Sequence, residues 1–182
     1  MQNKILRTLK KPLHKKGIDL KFIAYILAFR LSTLVLILVL MEDFKKYYSL
    51  AFFRTNSITN VTWVILERDI KKYSSLKNKI VSFDFPIDTQ YFKKDTPFAK
   101  EVKCESGDTL NTQGKEYFCN SIPIGKARTT DSNGNPVKQF IFNGVIPENY
   151  YFVMGDNPKS FDSRYWGFLE KENIRGVSIW KY

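Results

Sequence analysis

The sequence predicts a mainly β domain behind one N-terminal membrane-spanning helix. Three observations predict it. A basic tail runs directly into a twenty-residue apolar stretch. Short apolar runs with period-two alternation follow, and clusters of turn residues separate them. The 182 residues suffice for one domain plus an anchor, and the 43% hydrophobic content allows a packed core.

Residues 1–21 hold seven basic side chains (Lys4, Arg7, Lys10, Lys11, Lys15, Lys16 and Lys21) against one acid, Asp19, and so carry more than half of the net charge of +11. A basic tail can contact nucleic acid, but this one abuts an apolar run, so membrane lipid is the expected partner and nucleic acid is not. Residues 22–41 form that run, with one charge, Arg30. Twenty helical residues cross a hydrocarbon core of about 30 Å. Arg30 costs about 2.5–3.5 kcal/mol at mid-span, and the block 34–40 of Leu, Val and Ile offsets it at about 0.3–0.6 kcal/mol each. The readings against a span are a buried core helix and a cleaved leader, although no small-x-small site follows Met41. Positive charge before the span places the N-terminus in the cytoplasm and residues 42–182 on the other side.

Residues 42–53 read as a short amphipathic connector. Strands are expected at 80–85, 139–142, 151–154 and 177–180, with short helices or turns at 67–76 and 170–174. The Asp131-Ser132-Asn133-Gly134-Asn135-Pro136 cluster reads as a turn. Cys104 and Cys119 bracket a hairpin at 105–118, and an oxidising compartment lets them pair; two unpaired buried thiols are the alternative.

Composition narrows the chemistry. The single histidine, His14, lies in the basic tail, on the far side of the membrane from residues 42–182. A Ser-His-Asp triad and His-based zinc sites are therefore closed to the exported domain, and no metal or cofactor is expected. If the domain is a hydrolase, the remaining economical base for a serine is a lysine.

Three segments stand out. The first is Gly155-Asp156-Asn157-Pro158-Lys159-Ser160-Phe161-Asp162-Ser163-Arg164-Tyr165-Trp166-Gly167-Phe168. The second is Lys100, seven residues before Gly107-Asp108. The third is Thr55-Asn56-Ser57-Ile58. Together they resemble the boxes of bacterial type I signal peptidases, serine proteases with a lysine base, over about residues 20–182. The short domain is most similar to the conjugative-transfer branch. The departures are a Gly-Asp-Asn run that stands a residue closer than usual, Glu101 for an arginine, Ser106 for a proline, Thr59 for a proline and Val61 for a glycine.

The resemblance implies a signal-peptidase-like β domain whose apolar face lies on the membrane. It implies an inner-membrane enzyme with its catalytic domain periplasmic or extracellular. The implied reaction is cleavage of leader peptides from exported precursors, such as a pilin or another protein of a conjugation or secretion apparatus. It implies Ser57 as nucleophile, Lys100 as base, Thr55 at the oxyanion and Ser160 orienting the lysine. Gly155, Asp156, Asn157, Asp162, Ser163, Arg164 and Gly167 would shape the signature loop. A second register puts Asn60 at the nucleophile position, which makes an inactive pseudo-peptidase the alternative. A basic membrane-anchored assembly factor unrelated to peptidases is the remaining one.

Overall fold

The computed structural model describes residues 19–53 and 55–182; most of the expected basic tail, with His14, lies outside the described residues. The chain divides into two compact units after Asp43. Helix α1 (Leu20–Tyr47) has no buried residue, and its apolar stretch has a mean hydropathy of 2.4. Ser32 and Thr33 return their hydroxyls to the carbonyls of Phe29 and Arg30, which satisfies both donors within the helix.

The expected connector at 42–53 is split instead. Glu42 to Lys46 contain no Gly or Pro, so the helix runs on to Tyr47, and strand β1 (Tyr48–Phe52) follows at once. The unit from Phe44 onward has two antiparallel sheets. β1, β2 (Trp63–Glu67), β3 (Ile80–Asp84), β4 (Pro97–Glu105), β9 (Tyr150–Met154), β10 (Leu169–Glu170) and β11 (Ile174–Lys181) build the larger. Their order is β1-β2-β11-β3-β4-β9-β10. β5 (Thr109–Gln113), β6 (Glu116–Cys119), β7 (Ile122–Lys126) and β8 (Asn143–Val145) build the smaller, in the order β7-β6-β5-β8. Single 3-10 turns at Ile70–Lys72 and Lys171–Asn173 occupy the two places that the sequence gives to short helices or turns.

Alternation explains the larger sheet. On β3, Val81 and Phe83 point into a core shared with Val102, Val153, Leu169 and Val177. A second core, with Leu110, Tyr117, Ile146 and Phe152, joins the two sheets, and the Cys104–Cys119 disulfide ties β4 to β6 inside it. Residues 139–142 are not a strand. Phe140 and Phe142 alternate inward as a strand would, and both pack on Phe168. Their backbone, however, bonds elsewhere: Phe140 N–H donates to Arg164 O, and Phe142 N–H to the Thr112 hydroxyl. Pairing with β5 starts only at Asn143.

Candidate functional site

β4 has one lysine in its apolar phase. Lys100, Val102 and Cys104 are buried in turn, while Glu101 and Lys103 lie between them and pair with each other at 2.7 Å. Glu101, which stands where an arginine is usual, is therefore engaged away from the signature loop. Lys100 sits opposite Val81 and is 5% exposed. Its Nζ lies 5.6 Å from the Phe98 ring centroid and makes no hydrogen bond or ion pair among the described residues. Burial penalises the ammonium form and pulls this amine down to about 8; Asp162 and Asp156 oppose that shift and Arg164 adds to it.

The stretch after β9 turns sharply and folds back. Asp162 is fully buried and caps helix α2 (Ser163–Trp166), a single turn. Its carboxylate accepts from Gly155 N at 2.9 Å and from Arg164 Nε and Nη2 at 2.7 and 2.6 Å. The buried ion pair is thus bidentate, and the carboxylate has a backbone donor besides. Arg164 also donates to Lys126 O. Ser163 accepts from Val153 N at 3.0 Å, which fixes the turn against β9. Gly167 sits at φ 93°, where a side chain would strain the backbone and crowd Phe140.

This loop grips the segment between β1 and β2. Asn157 Nδ2 donates to Asn56 O at 2.7 Å, and Asn157 N donates to Ser57 O at 3.3 Å. Asp156 accepts from Thr59 N at 2.8 Å and from the Thr59 hydroxyl. Gly155 packs so closely that a Cβ there would collide with Ser57 O and lie 2.5 Å from Ser160 Oγ. The grip through Thr59 had no signal in the sequence beyond a polar residue standing in a proline's place.

A cleft of about 790 Å³ results, walled by apolar groups such as Phe53, Pro97 and Ala99. Thr55, Ser57, Lys100 and Ser160 all line it. Thr55 and Ser57 hydroxyls lie 2.7 Å apart. Ser160 Oγ is buried without a hydrogen-bond partner among the described residues. Asn60, the alternative to Ser57, takes a left-handed turn conformation at φ 59° and does not line the cleft. Cys104, Cys119 and Asp108 cluster, but the two sulfurs are bonded to each other and the Asp108 carboxylate is held by Lys77 and Asn120. That arrangement leaves no thiolate to bind a metal.

Several known proteins are similar to this chain over part of its length. A signal peptidase I from Aquifex aeolicus is 36% identical over 48% of this chain and 32% of its own length. Thylakoidal processing peptidase 1 of Arabidopsis thaliana is 35% identical over 47% of this chain and 24% of its own length. The chain therefore spans under a third of either relative. A crystal structure of a signal peptidase I from Enterococcus faecalis aligns with 58% of this chain and 97% of its own, at 25% identity and a TM-score of 0.40. The family model described as "Signal peptidase, peptidase S26" matches residues 22–182, all but the first 21 residues, so the chain belongs to the signal peptidase family, peptidase S26.

Proposed function

We propose that this chain is a membrane-anchored serine endopeptidase that removes leader peptides from exported precursors, with Ser57 as nucleophile and Lys100 as general base. The observation that carries the reading is a buried lysine, with its amine pulled down to about 8, lining the same cleft as Ser57. An ordinary lysine is protonated at neutral pH and accepts no proton. This one has a usable neutral fraction there.

The steps follow from acyl transfer. Neutral Lys100 takes the Ser57 proton as Oγ attacks the scissile carbonyl. The Ser57 N–H and the Thr55 hydroxyl bind the developing oxyanion. The Lys100 ammonium then gives its proton to the leaving amine, which departs and leaves an acyl-serine. Water, with Lys100 again as base, releases the leader and restores Ser57. Ser160 orients the lysine, and its unpartnered hydroxyl is available for that. Asp162 and Arg164 hold the loop that carries Ser160.

In this reading residues 1–21 are a cytoplasmic tail, 22–41 a single-pass anchor in a bacterial inner membrane, and 42–182 the exported catalytic domain. The substrate is a membrane-tethered precursor with small residues before the cut; a pilin or conjugation protein is the specific case proposed. An inactive, precursor-binding homologue is the second reading. It is favoured by the resting Ser57 hydroxyl, which bonds to Thr55, while no hydrogen bond reaches Lys100 Nζ among the described residues.

The test is cleavage of such a precursor by the full chain in detergent. Ser57→Ala and Lys100→Ala should each abolish it, and the double variant should cost little more. Binding without cleavage by the unaltered chain would select the inactive homologue.

A further inference from the structure

A second cavity of about 320 Å³ shares Phe92, Lys159, Ser160 and Phe161 with the cleft. The Phe161 ring stacks on Tyr165 at a 5.6 Å centroid distance and meets Tyr91 edge-on at 5.2 Å. Phe92 and Phe161 are thus the aromatic part of the wall common to both spaces, and Tyr91 and Tyr165 line the second cavity alone. Beyond them the lining turns polar, with Arg128, Thr130, Asp131 and Ser132.

Its charges are unequal. Arg128 is half-buried, and its position is fixed by a 3.0 Å bond from its N–H to Tyr165 Oη. Neither Arg128 nor Lys159 has a carboxylate partner among the described residues. The Asp131 carboxylate is already committed. It accepts from Tyr91 Oη at 3.0 Å, from Asn133 N and from Asn135 N and Nδ2. These bonds hold its pKa below the usual carboxylate range, the Asn135 side-chain bond being the largest cause. The cavity therefore presents two cations with no carboxylate partner among the described residues, hydroxyl donors, and one carboxylate whose acceptor sites are occupied, an excess of one positive charge.

We infer that this cavity is a subsite for an acidic side chain of the precursor, adjacent to the scissile bond and held by Arg128 and Lys159. The inference rests on the peptidase reading for its ligand, a peptide lying in the cleft. A peptide leaving the cleft over Phe161 meets a wall whose uncompensated charge is positive, and an Asp or Glu side chain complements it.

The test measures binding, so it does not depend on turnover. Fluorescent peptides carry a single Asp or its Asn counterpart at each position on either side of the small-residue cleavage motif. They are titrated against the full-length Ser57→Ala chain in detergent. At one position Asp should bind about three- to fivefold tighter than Asn, and added salt should erode the difference. Arg128→Gln combined with Lys159→Gln should abolish it, and Arg128→Lys alone should keep it. An Asp preference at no position, or one that persists in the double variant, overturns the inference. Cleavage of the same peptides by the unaltered chain is scored separately. Failure there with an Asp preference intact would remove the peptidase reading and leave the subsite standing.

Discussion

The Asp156 carboxylate receives both the N–H and the hydroxyl of Thr59, a residue 97 positions earlier in the chain. Two donors from one residue on one carboxylate leave little freedom to the loop between β1 and β2. Asn157 adds two further bonds to Asn56 and Ser57. The signature loop thus fixes where Ser57 stands, in a segment that lacks the family's proline. Thr59 restrains this segment by hydrogen bonding.

This pair predicts a positioning effect. Thr59→Val keeps the backbone bond but loses the hydroxyl, and Asp156→Ala loses both. If Ser57 is the nucleophile, each should lower kcat, by about tenfold and about a hundredfold respectively, with a smaller change in KM, because small misplacements of a nucleophile are costly. Thr59→Ser should recover most of the loss. Unchanged kcat in Asp156→Ala, or equal losses in Thr59→Ser and Thr59→Val, would show that the contact does not position Ser57.

Gly155 predicts a packing effect at the same junction. A methyl group there has no room between the Ser57 carbonyl and the Ser160 side chain. Because one neighbour is backbone, relief requires the two loops to separate. Gly155→Ala should lower stability by about 1–3 kcal/mol and move Ser57 away from Ser160. Thermal unfolding checks the loss of stability. Loss of cleavage in protein that is still folded at the assay temperature checks the displacement. An unfolding midpoint equal to that of the unaltered chain would refute the close approach.

How far the sequence reaches depends on the element. The apolar span and β3 are legible because their side chains follow a plain period. β2, β4 and the smaller sheet are harder to read: β4 carries Lys100, Lys103 and two glutamates among its nine residues, and its inward phase includes a lysine. On the peptidase reading that lysine breaks the apolar pattern for a chemical reason, and local propensity fails where function enters. Residues 139–142 fail differently. Their alternation is real, but their hydrogen-bond partners lie in a distant loop that no local rule can supply. At the site, the motifs mark Lys100 and the signature loop, whereas the bonds from Asp156 to Thr59 emerge only from the fold.

Lys100 links stability to activity with opposite demands. Its amine titrates near 8 in the folded chain against an ordinary 10.5. Between those values the unfolded chain binds more protons than the folded one, so stability should rise with pH across that window. Below pH 8 both states are protonated, and the cost of burying the ammonium group is present in full. That cost is about 3 kcal/mol for a shift of this size. Lys100→Met should therefore stabilise the domain at neutral pH by up to about that amount, and the gain should fade as pH approaches 10.5. The same substitution should abolish cleavage. If Lys100 is the base for Ser57, kcat/KM of the unaltered chain should climb as pH rises toward and through about 8, since only a neutral amine can accept a proton. Denaturation of both proteins at pH 7 and pH 10 measures the first effect, and a pH–rate profile measures the second. A stability difference independent of pH, together with a flat profile between pH 6 and 9, would mean that Lys100 is not the titrating base.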